Sequence, residues 1–416
     1  MTGIKLIGCM LHLRGILRIK RFAFKKWGKE LHLWVKPYRN GCRCPECGRR
    51  GRILRTMSEQ RCWRDVRVCG MDVYLHYAPR EIRCTTHGRR QESIPWAAPH
   101  AQITYRLEVL VLRYCQSMTQ CAAAQLLNMS PSTLSGVLHR TIDRIRSGHR
   151  VRALRTIGID EISYERGRSY ATIVYDLDRG CVVWVGDGKG RETIDRFFKT
   201  QMSPFQRANV RFASCDMSQT YIGAIKDWCP RAQLVIDRFH VVKALNDAVD
   251  EVRKNEWRKL KDTTEGKAIK GLRWLLYRHS TNRTPSQSRV LNSLRKSNRR
   301  IWRAWVLKDE FESFWEYTYP GAAQSFVKRW MTSALKSRLE PLRGFVKTLR
   351  NHLGDIITFV GTRLTNAVGE GVNRIIRMVK NRASGFQNIT AFSDLIYLTV
   401  GDLDIPAQIP KRFHTY

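Results

Sequence analysis

Three carboxylates stand where they could do chemistry together. Asp160 closes the run Thr156-Ile157-Gly158-Ile159-Asp160, and Asp216 ends Phe212-Ala213-Ser214-Cys215-Asp216. Glu370 lies in Asn366-Ala367-Val368-Gly369-Glu370-Gly371-Val372-Asn373. Two strand-end aspartates and a distant helical glutamate make a hard-oxygen set able to hold two Mg²⁺ ions against a phosphodiester. One ion then activates the nucleophile and the other stabilises the leaving oxygen. In that scheme Asp160 bridges both ions, and Asp216 and Glu370 hold one each. At helical spacing Asn366, Glu370, Asn373 and Arg377 share one face, which puts Arg377 in reach of a nearby phosphate. Gly369 and Gly371 weaken this helix by about 1 kcal/mol each, a cost that makes sense if its backbone must approach a sheet closely. Glu161 faces the other side of its strand and Asp176 precedes a turn, so both read as structural. In Asp237-Arg238-Phe239-His240, Asp237 suits a helix N-cap and His240 the first turn. The pair reads as support for the carboxylates, contact with the scissile end, or capping alone.

A second set is soft. Cys44-Pro45-Glu46-Cys47 and Cys84-Thr85-Thr86-His87 each place two ligands on a tight knuckle followed by glycine. Cys44, Cys47, Cys84 and His87 close a tetrahedral structural Zn²⁺ shell, which supplies folding energy to a small domain. Cys42, Cys62 and Cys69 are nearby competitors, and a strand is expected from Val66 to Tyr77 between the halves. With 12 cysteines and no secretory signal in Met1–Arg21, metal binding and free thiols are expected rather than disulfides. The apolar start is broken by Arg14 and Arg18, and there is no run of 18 apolar residues. A cytoplasmic protein without a membrane span is the expectation.

These residues need elements to position them. Ala122-Ala123-Ala124 lies in a helix expected over Gln120–Leu127, Asn128-Met129 makes a turn, and Ser130-Pro131 fits an N-cap and first helical position. Leu134, Val137, Leu138, Ile142 and Ile145 continue as a helical stripe. This is a helix-turn-helix, or else a plain helical hairpin. In the first case Ser132, Thr133, Ser135 and His139 face bases in a major groove of double-stranded DNA, with Arg140 and Arg144 near phosphates. After residue 150 the pattern changes to βββαβαβ, with strands at 154–161, 170–177, 181–186, 210–215 and 233–236. That order is the ribonuclease H-like one, an α/β fold in which strands one and four are neighbours and bring Asp160 and Asp216 together.

Beyond His240 the pattern is helical for 110 residues, with Trp257, Trp274, Trp302, Trp305, Trp315 and Trp330 among many Lys/Arg. Such aromatics can stack on unpaired bases, although any one tryptophan is more often core. The domains expected are an N-terminal strand and zinc-binding region (1–95), a helix-turn-helix (96–150), and a first catalytic part (151–240). A separate all-α insertion (241–350) and a C-terminal catalytic part with Glu370 (351–416) follow.

Charge supports a polyanionic partner. The net charge is +38, with 28 Lys/Arg against 9 acids in residues 1–150 and 24 against 9 in 251–350. Residues 151–250 and 351–416, which carry the three carboxylates, are nearly neutral at 15 against 13 and 7 against 5. Basic blocks grip phosphate through counterion release while the metal site keeps its negative charge.

The motif order resembles the ISL3 family of bacterial insertion-sequence transposases. The residues that carry it are Cys44–Cys47, Gly158-Ile159-Asp160-Glu161, Asp216-Met217-Ser218, Asp237–His240, Asn366–Asn373 and Ala383-Ser384-Gly385-Phe386-Gln387-Asn388. His87 stands where a fourth zinc cysteine is usual. The resemblance implies a DDE transposase whose zinc region and helix-turn-helix recognise terminal inverted repeats. It also implies a helical insertion between the second Asp and the Glu. The expected activity is Mg²⁺-dependent strand cleavage and transfer to target DNA, in a nucleoid-associated homodimer or larger synaptic assembly. Two rivals stand beside it: a domesticated, non-cleaving DNA-binding regulator, and a stand-alone ribonuclease H-like nuclease.

Overall fold

The computed structural model describes residues 3–11, 13, 17–37, 42–148, 153–165, 169–364, 366–383, 385–386 and 388–405. Arg14, the boundary residues Arg150 and Val151, and Ser384 and Gln387 of the near-terminal motif lie outside them. Two compact units result: Met1–Arg150 with Arg377–Tyr416, and Val151–Ile376. The stretch 351–416, expected as one piece, is thus divided after Ile376. Among the described residues no helix is long and apolar enough to cross a membrane.

The first unit opens with α1 (Gly3–Met10), β1 (Leu17–Lys25), β2 (Glu30–Pro37), β3 (Arg52–Thr56), β4 (Arg61–Val68), β5 (Met71–Tyr77), β6 (Arg80–Cys84) and β7 (Gly88–Gln91). Two sheets form, ordered β1-β2-β5-β4 and β3-β6-β7. The single strand expected at 66–77 is instead two. Cys69 and Gly70 have φ of 48° and 79°, so the chain turns there and Val68 pairs with Met71. Leu17, Ile19, Leu33, Val35, Trp63, Val73 and Leu75 bury the alternate face of the larger sheet, the period-2 pattern of a half-covered sheet.

Three helices follow: α2 (Tyr105–Ser117), α3 (Gln120–Leu126) and α4 (Pro131–Gly148). Ser130 Oγ accepts from Thr133 N at 3.1 Å, capping α4 as expected. The turn before α4 passes through Asn128 at φ 51°. Arg64 and Asp72 fasten that turn to the sheet, Arg64 Nη1 donating to Asn128 O at 3.0 Å and Asn128 Nδ2 to Asp72 Oδ2 at 2.9 Å. Asp65, fully buried, accepts from Arg106 and from Thr104 Oγ1 (2.6 Å), which ties α2 to β4.

The second unit contains β8 (Thr156–Ser163), β9 (Tyr170–Asp176), β10 (Cys181–Asp187), α5 (Arg191–Gln201), α6 (Pro204–Ala208), β11 (Phe212–Cys215), α7 (Gln219–Trp228) and β12 (Gln233–Ile236). The sheet order is β10-β9-β8-β11-β12. Both β9–β10 and β8–β9 pairs are antiparallel, whereas β11 is parallel to β8 and to β12.

The chain then turns helical: α8 (Arg238–Leu260), α9 (Thr264–Gly271), α10 (Arg273–Tyr277), α11 (Pro285–Ser297), α12 (Arg299–Glu312), α13 (Pro320–Lys336), α14 (Glu340–Asn351), α15 (Leu353–Thr362), α16 (Ala367–Arg382) and α17 (Ile389–Val400). The helices from α8 to α15 share one continuous apolar core with the sheet, rather than forming the separate module expected. Trp305, Trp315 and Trp330 are buried in it, and Trp257 and Trp302 pack against it. Of the six, Trp274 alone is well exposed, at 71%. α17 packs on α2 and α4 in the first unit.

Candidate active site and metal centre

Strand register brings the aspartates together. Gly158 on β8 lies opposite Ser214 on the parallel β11. Carrying that register two residues on sets Asp160 level with Asp216. Cys215 lies opposite Ile236, so one further step sets Asp237 level with Asp216. Level residues on parallel strands share a face. Asp160, Asp216 and Asp237 therefore form a row across three adjacent strands: Asp216 and Asp237 each follow the last residue of β11 and β12, whereas Asp160, expected at a strand end, lies within β8, which runs on to Ser163.

Helix α16 is pinned over the two ends of this row. Asn373 Nδ2 donates to Asp160 Oδ2 at 2.7 Å, and its Oδ1 accepts from the buried Tyr175 hydroxyl of β9. Asn366 Nδ2 lies 3.5 Å from Asp237 Oδ2. Glu370, between the two asparagines, is held above the row. The shared helical face expected for Asn366, Glu370 and Asn373 is thus the one turned to the aspartates, while Arg377 is exposed.

The flanking glycines have different reasons from the one expected. A Cβ on Gly369 would come within 2.2 Å of Asn366 Oδ1, so it clears room for that amide rather than for the sheet. Around Gly371 nothing lies within 4 Å. Gly158 is the residue that permits close approach, since a Cβ there would meet Leu177 at 2.9 Å and Asn366 Oδ1 at 3.3 Å.

The electrostatics are those of crowded carboxylates. Burial pushes the Asp160 carboxyl up, and Asp216 pushes it further; the Glu161 amide, His240 and the Asn373 amide pull it down. Glu370 is also raised, by burial first, then by Asp237 and Asp160, against the pull of His240 and Arg374. His240, on the first turn of α8, places Nε2 3.9 Å from Asp237 Oδ2. Asp237 caps α8, accepting from Phe239 N at 3.1 Å. Asp216 accepts from Ser218 N at 2.9 Å. Acid oxygens from the half-buried Asp160 and Asp216, the buried Asp237 and the exposed Glu370, together with the unpartnered buried Asn366 Oδ1, suit a hard divalent cation.

Of the two acids read as structural, Asp176 accepts from the Asp178 and Arg179 amides at 3.0 and 3.1 Å and holds the β9–β10 turn. Glu161 is half-buried and pairs with Lys189 at 4.0 Å, yet it also feels Asp216 and Asp160.

In the first unit, the donor atoms of Cys44, Cys47, Cys84 and His87 all lie within 4.8 Å of one another. Cys47 Sγ is 3.6 Å from Cys84 Sγ, and His87 Nδ1 is 3.6 Å from Cys44 Sγ and 3.8 Å from Cys84 Sγ. Tetrahedral Zn²⁺ with thiolates at about 2.3 Å gives edges of about 3.7 Å, so the set is compatible with that ion. The amides of His87 and Thr86 pull the Cys84 thiol down to about 6, which favours the thiolate a metal needs. Glu46 Oε2 lies 3.4 Å from His87 Nε2, the carboxylate that commonly orients a ligating imidazole. Cys42 belongs elsewhere: burial and Glu92 push its thiol up to about 12. Cys62 and Cys69 are exposed.

On α4, Ser132 and Thr133 are exposed and bonded to Ser130 Oγ at 3.0 and 2.8 Å, and Ser135 is half-buried. His139 Nδ1 is 3.0 Å from Asp394 Oδ2 of α17. Arg144 is turned inward onto Glu108 and over the Tyr105 ring. Arg140 is exposed.

Neither Tyr175 nor Glu46 is singled out in the sequence reading, where Asp237 reads as a cap or support rather than as level with the two aspartates. Asp237 had a readable signal, since both strand runs end apolar-then-Asp. Glu46 sits inside the cysteine knuckle, whereas nothing local marks Tyr175.

Comparison with known proteins matches this architecture. Residues 157–396 fit the family model of the ISL3 DDE-type domain, described as a transposase. Residues 92–142 fit the helix-turn-helix domain of transposase family ISL3. The transposase for insertion sequence element IS1001 of Bordetella parapertussis is 29% identical over 369 residues, 87% of this chain and 89% of that protein. The transposase for insertion sequence element IS1557 of Mycobacterium tuberculosis is 27% identical over 381 residues, 86% of this chain and 85% of that protein. With more than half its length matched by the domain that carries the carboxylates, this chain belongs to the ISL3 family of transposases.

Proposed function

We propose that the protein binds the terminal inverted repeats of an insertion sequence, cleaves the DNA strand there, and joins the freed 3′-hydroxyl to target DNA. The observation that carries this reading is the level pair Asp160 and Asp216 with Glu370 pinned above them through Asn373. The strand order, with its first three strands antiparallel and the fourth beside the first, supports a ribonuclease H-like core. In that reading the helical segment 241–350 is inserted before the helix with Glu370, although it shares the core.

Asp160, Asp216 and Glu370 would hold two Mg²⁺ ions, with Asp237 close enough to take part. Mg²⁺ supplies charge neutralisation at the phosphoryl group and a more acidic attacking oxygen. The chain's own residues do the positioning. Asn373 fixes the Oδ2 of Asp160, Asn366 steadies Asp237, and His240 balances part of the negative charge. In the first step water attacks phosphorus and the 3′-oxygen leaves as a hydroxyl. In the second that 3′-hydroxyl attacks a target phosphodiester and displaces its own 3′-oxygen.

Cys44, Cys47, Cys84 and His87 would hold a structural Zn²⁺. α4 would enter the major groove by its first turn, with Ser132, Thr133 and Arg140 the freest side chains. His139 and Arg144 would reach DNA only by leaving Asp394 and Glu108. Arg377, exposed on α16, would meet phosphate. Synapsis of two ends calls for a dimer or a larger assembly.

The test uses labelled repeat-end duplex with Mg²⁺. Asp160→Asn is expected to bind the repeat as wild type does and to leave the strand uncut; cleavage by that variant at the wild-type rate sinks the assignment. A non-cleaving regulator would bind without cutting in its wild-type form. A stand-alone nuclease would cut branched DNA without regard to the repeat.

A further inference from the structure

The hairpin of β1 and β2 ends in a tip, residues 26–29, that the sites above leave without a role. Trp27 at its end is fully exposed, at 103%. Lys26, Trp27 and Gly28 are all left-handed, with φ of 50°, 57° and 81°. For a bulky L-residue that conformation costs free energy, and an indole out in solvent returns none of it through packing. Fold stability therefore does not explain a tryptophan at this position.

Its surroundings are strongly basic. Residues 17–37 hold seven Lys/Arg against one acid, Glu30. Glu30 is already occupied by Lys26 at 2.7 Å and His32 at 3.1 Å. Lys20, Lys25, Lys29 and Lys36 are exposed, and among the described residues their side chains make no ion pair or hydrogen bond. Arg21 stacks 3.8 Å over Trp34 on the same hairpin. Such a ribbon would be repelled by another copy of a +38 chain and attracted by a polyanion.

We propose that the β1–β2 hairpin is a duplex-DNA contact, with Trp27 wedged against a base step from the minor groove. Lys25 and Lys29 flank the indole and take the phosphates on either side, and Lys20 and Lys36 extend that track. The inference rests on the reading that the protein grips repeat-end DNA, and adds to it a contact separate from the helix-turn-helix.

The test titrates full-length, zinc-loaded protein onto repeat-end duplex at several salt concentrations. Trp27→Ala is expected to weaken binding by about 5- to 150-fold, the range of losing one aromatic–base contact, with the salt dependence unchanged. The double variant Lys25→Ala/Lys29→Ala is expected to lower the slope of log K against log salt by about 1.8. Trp27→Phe should restore most of the affinity. Both alanine variants should keep their zinc content and melting transition, because the tip lies outside the core. Wild-type affinity and slope in both overturn the proposal. A Trp27→Ala protein that loses self-association at unchanged DNA affinity also overturns it, by assigning the tip to a second copy. If wild-type protein fails to bind the repeat, the functional reading falls; if only the variants match a binding wild type, the hairpin contact alone falls.

Discussion

The two candidate metal centres are built on opposite principles. The Cys/His set has four donors on two short knuckles, all within 4.8 Å of one another. Among the described residues it is the one set of three or more potential ligands packed that closely, so the carboxylates over the sheet are more widely spaced. In the first, local backbone amides draw Cys84 and Cys44 toward the thiolate, while burial and the neighbouring thiols push Cys47 the other way. The second raises Asp160 and Glu370 through burial and mutual repulsion. A closed tetrahedral shell of soft ligands suits a metal that holds a fold together. An open, more widely spaced oxygen set suits metals that share their coordination with substrate. One centre lies in the first unit and the other in the second.

The largest expected break falls on the closed site. Cys84→Ala removes one of four ligands from a segment whose zinc affinity in comparable small domains amounts to about 10–16 kcal/mol of folding free energy. Zinc content should fall and residues 42–91 should become sensitive to limited proteolysis, while the sheet unit keeps its melting transition. An unchanged digestion pattern in the zinc-free variant would mean that the small sheet folds on its own. At the open site the expectation is reversed, with activity lost and fold kept. Asp216→Asn should reduce cleavage by about a thousandfold or more, since several kcal/mol of charge stabilisation are at stake. Its melting temperature should stay level with wild type, because asparagine keeps the size of the side chain and an oxygen for the Ser218 amide. A collapsed melt alongside the lost activity would mean that Asp216 holds the fold rather than serving the site alone.

The same contrast governs what could be read in advance. Cys44–Cys47 and Cys84–His87 were legible because each pair is local, and only the docking of the two knuckles is tertiary. For Asp160 and Asp216 the strand order that makes β8 and β11 neighbours was legible, as was the end of β11 before Asp216; the run of β8 three residues past Asp160 was not. Asp237 was read as a cap, which it is, or as support for the carboxylates; its place in the row depends on the register of β12 against β11, which no local pattern states. The tryptophans in 241–350 read as more often core than free for stacking, and five of the six are in or against the core; periodicity could not tell a helical module's own core from a core shared with a sheet. Gly70 did mark the turn between β4 and β5, but alternation on both sides of it hid the break. His139 and Arg144 are taken up by Asp394 and Glu108, acids that come from other helices, so their pairing was invisible in the sequence.

Intermediate effects should separate ligands from the residues that orient them. Glu46→Gln removes the carboxylate beside His87 Nε2 and should weaken zinc binding about 10- to 100-fold, the usual cost of such a partner. Competition with a chelator would measure it; no change would place Glu46 with Arg90, its other partner at 2.5 Å. Asn373→Ala should lower cleavage by a similar factor and raise the Mg²⁺ concentration needed for half-maximal rate. Repeat binding should be untouched, because the buried Asn373 is taken up by Asp160 and Tyr175. A cleavage loss that excess Mg²⁺ cannot reduce would mean that the amide serves the helix rather than the metal site.

The smallest effect is expected one bond further out. The Tyr175 hydroxyl can donate to Asn373 Oδ1 and so leaves Nδ2 for Asp160. With the ring kept and the hydroxyl removed, Tyr175→Phe loses one hydrogen bond, worth about 0.5–1.5 kcal/mol net. The amide is then free to turn, and the turned state sets an oxygen against the Asp160 carboxylate, which repels it. Turned molecules contribute little to cleavage, so the rate should fall about 2- to 10-fold. Added to Asn373→Ala, the same substitution should cost nothing further, because the amide it orients is already gone. A double variant that loses the product of the two single effects would show that Tyr175 acts on the site by another route.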